Sequence, residues 1–244
     1  SGQYLASGSA DGTIRVWGME NFPNLLTKAI INIGLPVSSM SFSRKTQDLA
    51  VACESKEIMI YTLNGLRKGE KQFEPKLLRE HKGIVSEVVY SPDGSYLASS
   101  SGQNELILWN SQDEVVLKMD KLKYSMTALA FSFDGKILAA LDETGKGESY
   151  TIPTGNRLAE FTGHDNTVFS AAFSPSLTSN YTVASAGGNN NEIVLWNPIN
   201  GLTIIKIKGK GSAISELAFG EGYELFVSKE IANGGKPKFN SRFN

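Results

Sequence analysis

Gly94-Ser95-Tyr96-Leu97-Ala98-Ser99-Ser100-Ser101, a short polar turn, then Glu105-Leu106-Ile107-Leu108-Trp109: this stretch decides the fold, because the chain writes it more than once. Gly2-Gln3-Tyr4-Leu5-Ala6-Ser7-Gly8-Ser9 leads through a turn into Thr13-Ile14-Arg15-Val16-Trp17, and Thr182-Val183-Ala184-Ser185 leads into Glu192-Ile193-Val194-Leu195-Trp196. Weaker copies close on Tyr61 and Tyr150. The closing rings at 17, 61, 109, 150 and 196 are 44, 48, 41 and 46 residues apart. A second register, the aromatic of an apolar-x-Phe-Ser run, falls at Phe42, Tyr90, Phe131, Phe173 and Phe219, with spacings of 48, 41, 42 and 46. Two independent series with matching periods mark a repeat protein.

Each unit contains four short β-like runs and no 3.6-residue periodicity. In the fifth unit the runs are Val168 to Phe173, Tyr181 to Ser185, Ile193 to Trp196 and Leu202 to Ile207. Ser91-Pro92-Asp93-Gly94 writes the turn between first and second runs, with Pro setting φ and Gly supplying positive φ. The units therefore read as meanders of four antiparallel strands, at about 1–33, 34–80, 81–121, 122–161, 162–208 and 209–244. A lone meander of this kind is apolar on both faces and needs neighbours. Stacking blades hides both faces.

Composition narrows the rest. The 244 residues are 41% hydrophobic and 20% charged, enough to bury a sizeable core. No apolar run approaches the roughly 18 residues of a membrane helix, and Ser1-Gly2-Gln3 does not read as a secretion signal. With 24 basic and 25 acidic residues the net charge is −1, so no global field draws the chain to nucleic acid or anionic lipid. One cysteine and two histidines exclude an internal disulfide and leave no Cys/His zinc set. The expectation is a cytoplasmic protein without metal or cofactor, and without membrane or nucleic-acid partners.

The pattern resembles the WD-repeat family of β-propellers along essentially the whole chain. The resemblance rests on Gly163-His164 before a first strand, on Phe173-Ser174-Pro175, on Trp196 closing a third strand, and on Asp11-Gly12-Thr13-Ile14-Arg15-Val16-Trp17. Departures are Tyr61 and Tyr150 in place of Trp, and Gly18, Asn110 and Asn197 where the family has Asp after Trp; Glu80-His81 keeps only half of the Gly-His pair. The implied fold is an all-β propeller with about six blades represented, four complete and two partial. Aligning the first copy on the second places Ser1 inside a turn, so the expectation is a piece of a longer chain, most simply of a seven-bladed or larger ring. Further domains of that chain are possible partners.

The resemblance also implies a buried hydrogen-bond chain from His to a strand Ser, to an Asp in the next turn, and to the Trp indole. Carried onto the fifth unit, these are His164, Ser185, Asn190 and Trp196, with Asn190 standing where Asp11 stands before Trp17; Trp109 closes the third unit in the same way. His and Ser invite a hydrolase reading, but no Gly-x-Ser-x-Gly elbow is present and Asn190 cannot stabilise an imidazolium. The network reads as structural, with no catalytic residue. Cys53, in Leu49-Ala50-Val51-Ala52-Cys53, reads as a core residue of a second strand. The Lys206 to Ser212 run lacks the order of a phosphate loop and reads as a fourth strand with outward lysines. Asn180-Tyr181-Thr182 fits a glycosylation sequon by coincidence.

Two loops are candidate partner contacts: Asn64 to Lys76 with Arg67 and Lys68, and the polar turn with Asn189, Asn190 and Asn191. The functional expectation, carried by the resemblance, is a non-catalytic scaffold presenting loops to proteins or peptides. The alternative is a regulatory or sensor portion of a larger enzyme, such as a bacterial caspase-like protease, suggested by the divergent sixth unit.

Overall fold

The computed structural model describes residues 3–63, 74–175, 181–187, 191–208, 214–220 and 225–229. Contacts divide the chain into two compact units, Ser1–Lys121 and Leu122–Asn244, each built from β-meanders. The described residues contain 21 strands and no α-helix.

In the first unit, β1 (Tyr4–Gly8), β2 (Thr13–Gly18) and β3 (Leu26–Asn32) form a three-stranded sheet. β4 (Val37–Phe42), β5 (Asp48–Cys53), β6 (Ile58–Thr62) and β7 (Lys76–Leu78) form the second sheet. β8 (Val85–Tyr90), β9 (Tyr96–Ser101), β10 (Glu105–Asn110) and β11 (Val115–Met119) form the third. The second unit repeats the plan: β12 (Met126–Phe131), β13 (Ile137–Asp142), β14 (Lys146–Thr151) and β15 (Arg157–Thr162); then β16 (Val168–Phe173), β17 (Val183–Gly187), β18 (Glu192–Trp196) and β19 (Thr203–Lys208). A last pair is β20 (Ile214–Phe219) and β21 (Leu225–Lys229). Every pairing is antiparallel between chain neighbours, as four-stranded blades require.

The turns explain why these residues stop and restart pairing. In Ser91-Pro92-Asp93-Gly94 the Ser91 hydroxyl donates to Asp93 Oδ1 (2.6 Å) and accepts from the Tyr96 N–H (2.9 Å), with Gly94 at φ 67°. Ser132-Phe133-Asp134-Gly135 rebuilds the same device, with Ser132 to Asp134 at 2.7 Å and the Ile137 N–H to Ser132 at 2.9 Å. Asp134 has an additional use, accepting the Tyr181 hydroxyl at 2.8 Å. The second strand of this blade runs 183–187, where 181–185 was expected; Tyr181 lies before it, its side chain on the neighbouring turn, while the Thr182 carbonyl accepts the Ser174 N–H at 2.9 Å.

Blades within a unit cohere through shared cores. Ala50, Ile58 and Ile60 of one blade pack with Val88, Ile107 and Trp109 of the next. In the second unit Ala139, Leu141 and Phe161 pack with Val168, Val194 and Trp196. Second strands are buried nearly throughout, Cys53 included, whereas β1 is mostly exposed. The first strands of five blades open with a bulge, and the third-to-fourth pairs β10–β11, β14–β15 and β18–β19 carry another, which twists the blade and disrupts its outer edge.

Candidate functional site

The most highly organised polar cluster lies in the third blade. Strand register places Ser101 opposite Glu105 and Ser99 opposite Ile107, with Trp109 at the far end. His81, just before β8, reaches into this cluster: its Nε2 lies 2.7 Å from Ser99 Oγ and its Nδ1 3.3 Å from Glu105 Oε2. The Trp109 indole N–H donates to the same Ser99 oxygen at 2.9 Å. Glu105 Oε2 also accepts from the Ser101 hydroxyl (2.7 Å) and the Lys82 N–H (2.8 Å). All four side chains, His81, Ser99, Glu105 and Trp109, are buried. Burial pushes the His81 pKa down more than Glu105 lifts it, so the imidazole stays neutral. Burial pushes Glu105 upward, but the bonds from Ser101, Lys82 and His81 outweigh it and hold the carboxylate below its ordinary range. The cluster locks the loop before β8 to two strands, β9 and β10.

The fifth blade carries the same frame with different partners. His164 Nε2 is 2.8 Å from Ser185 Oγ, a residue of β17 opposite Val194. The expected last link is absent: the buried Trp196 indole N–H has no hydrogen-bond partner. Phe161 explains why. It stands three residues before His164, where Leu78 stands before His81. Its ring stacks on Trp196 with centroids 4.5 Å apart and planes 12° apart, and meets His164 edge-on at 5.9 Å. Stacking fixes the indole plane along Phe161, and the N–H is turned from the serine.

The acidic position of this frame is expected at Asn190. Asn189 and Asn190 lie outside the described residues, as do Arg67 and Lys68. Asn191 is described, at a positive φ of 51° at the start of β18. In the first blade Asp11 is exposed and accepts from the Thr13 N–H and hydroxyl (2.9 and 2.6 Å), a local turn well apart from any imidazole. Trp17 is half-buried. The carboxylate equivalent to Glu105 is Glu192, opposite Gly187 as Glu105 is opposite Ser101. Both glutamates stand four residues before their Trp, a signal already present in the sequence.

Glu192 does not serve His164. Lys206 Nζ lies 2.6 Å from its Oε2 and Lys208 Nζ 3.4 Å from its Oε1, while Lys206 also donates to Gly163 O. These lysines, expected simply to face outward, converge on a buried carboxylate. In the third blade Lys118 holds the place of Lys206 and bonds the Glu80 carbonyl (2.7 Å) and carboxylate (3.3 Å), whereas Asp120 stands in place of Lys208 and pairs with Lys82 at 3.2 Å. Burial, helped by Lys206, drives the His164 pKa down to about 4. A Cβ on Gly187 would lie 2.5 Å from His164 Nδ1, so only glycine admits the ring there.

Comparison with known proteins fits this anatomy. The family model for the WD domain, G-beta repeat, matches residues 1–18, 74–110 and 155–197, including both His–Ser frames. The chain carries WD repeats at these positions. The WD-repeat chain is 26% identical to protein HIR1 of Cryptococcus neoformans over 93% of its own length and 29% of that protein. It is 33% identical to actin-interacting protein 1 of Drosophila melanogaster over 31% of its length and 12% of the relative. It thus spans less than a third of either relative. A chain of the mitotic checkpoint complex crystal structure superposes with a TM-score of 0.78 at 18% identity, over 94% of this WD-repeat chain and 68% of that one, which shows the propeller fold. Among the described residues no helix is long and apolar enough to cross a membrane.

Proposed function

We propose that this chain is a non-catalytic interaction scaffold whose blades present loops and strand ends to protein or peptide partners in the cytoplasm. One observation carries the reading. The His–Ser–carboxylate set that could do chemistry is sealed: Ser99 has 0% exposure, and its oxygen already contacts His81 and Trp109. A nucleophile must reach substrate, and its base must be free to take the proton. Ser99 fails the first condition, and in the fifth blade the acid has been turned to lysines. The polar groups stabilise the blades and leave the exposed ends for binding. The similarity to actin-interacting protein 1, a relative named for binding another protein, supports binding as the role of this chain.

The test uses the purified chain with chromogenic esters and casein. No turnover above buffer is expected, and Ser99→Ala lowers the unfolding midpoint while leaving that background unchanged. Activity that vanishes in Ser99→Ala would overturn the reading.

A further inference from the structure

We infer that Lys206 is a strap that fixes the loop before β16, residues 163–167, in the shape in which the scaffold presents it, and that removing the lysine frees that loop. The inference rests on the scaffold reading and adds to it how one presented surface is held.

The repeat itself reveals the device. Four places before the first strand stand His81 in the third blade and His164 in the fifth, but Ile33 in the second and Leu122 in the fourth. On the fourth strand, the residue opposite the position two before the closing ring is Lys118 in the third blade and Lys206 in the fifth. In the second blade it is Leu77, and in the fourth Glu160. Histidine and lysine therefore occur together. Each lysine crosses from the outer strand to the carbonyl just before its histidine, Glu80 O at 2.7 Å and Gly163 O at 3.0 Å. An ammonium on a carbonyl is a charge-assisted bond, stronger than the neutral bonds of the same loop.

The two straps carry different loads. In the third blade Glu105 holds the loop directly, through His81 Nδ1 at 3.3 Å and the Lys82 N–H at 2.8 Å. In the fifth blade Glu192 holds the strap instead, with Lys206 Nζ at 2.6 Å. The buried carboxylate thus acts on the loop through the lysine, and the fifth loop depends on its strap more than the third does.

The loop also bears on the blade before it. The His164 N–H donates to Gly145 O at 3.3 Å, and the Thr167 hydroxyl donates to Glu143 O at 2.8 Å. Both carbonyls belong to the turn between β13 and β14. Lys206 therefore joins the outer strand of one blade, through one loop, to the turn of its neighbour. Asp165 on the loop and Glu143 on the turn are exposed, so the strap shapes surface that a partner can reach.

The experiment follows amide hydrogen exchange residue by residue in the folded 244-residue chain. Lys206→Met should quicken exchange of the 163–167 amides by about tenfold, as the loss of one charged hydrogen bond requires, with β13 unchanged. Lys118→Met should quicken the 80–84 amides by a smaller factor, because Glu105 still holds that loop. Lys206→Arg keeps the charge and donors and should stay near the wild-type rate. Lys206→Met also leaves Glu192 without its nearest cation, so Lys206→Met/Glu192→Gln, which strands no carboxylate, is measured beside it. The double variant should exchange as fast as the single one, and thermal melts verify that each variant folds. Wild-type exchange in Lys206→Met, or its return in the double variant, would overturn the strap. Either result would leave standing the scaffold reading, which rests on the sealed Ser99.

Discussion

Trp109 and Trp196 close equivalent strands, are both buried, and differ in one hydrogen bond. Replacing each by Phe should separate packing from bonding. Trp109→Phe loses the bond to Ser99 and should cost about 1 kcal/mol more than Trp196→Phe, whose indole N–H has nothing to lose. Equal losses in urea denaturation would show that the two indoles are bonded alike. Trp196→Ala should cost about 3–5 kcal/mol, because the ring is sealed against Phe161. His164 adds a pH dependence. Its folded pKa of about 4 lies below the ordinary 6.5, so the unfolded chain takes up the proton first as pH falls. The contribution is complete above pH 6.5 and is lost progressively toward pH 4, on the order of 3 kcal/mol in all. Wild type should therefore lose more stability than His164→Gln between pH 7.5 and 4.5; identical losses would contradict the shift. The His–Ser step was legible through the resemblance to the WD-repeat family, which carries the pair onto His164 and Ser185, 2.8 Å apart. The carboxylate was legible only in part: Glu192 stands four residues before Trp196 as Glu105 does before Trp109, and strand pairing, which sets Glu192 opposite Gly187, is what makes the two equivalent.

At the scale of the element, the turns and the fourth strands carry the differences between blades. The turns at Asp93 and Asp134 are built alike, but Asp134 also receives the Tyr181 hydroxyl from the following blade. Asp93→Ala should cost about 1 kcal/mol and Asp134→Ala about twice that, as measured by thermal unfolding. Gly187→Ala should cost about 1–3 kcal/mol, since the added methyl meets the imidazole at 2.5 Å. A neutral result would mean that His164 can swing away without losing Ser185. The β16 bounds matched the reading of its apolar run, which is bounded by turn residues. The β17 bounds did not, because alternation is silent on whether Tyr181 pairs in a ladder or bonds a side chain across blades.

Across the whole molecule, cohesion within each unit lies between blades, since each apolar cluster is shared by two of them. Leu141, fully buried on β13, shares its cluster with Val168, Val183 and Val194. Leu141→Ala should cost about 2–5 kcal/mol, and hydrogen exchange should quicken in β17 and β18 as well as in β13, as nearest-neighbour coupling of repeats requires. Quickening confined to the β12–β15 blade would show that blades stand independently.

The sequence by itself determined that the chain is all-β, built of four-stranded units about 40–48 residues apart, with a turn at Ser-Pro-Asp-Gly and Cys53 in the core of a second strand. Period, turn chemistry and strand alternation are local, so no contact between distant residues is needed to read them. Tertiary structure alone decided which polar groups meet. Leu78 against Phe161 sets whether an indole reaches its serine, and Lys206 and Lys208 decide whether a glutamate serves a histidine or an ion pair. Those outcomes depend on side chains brought together across strands and blades, where sequence spacing carries no geometry.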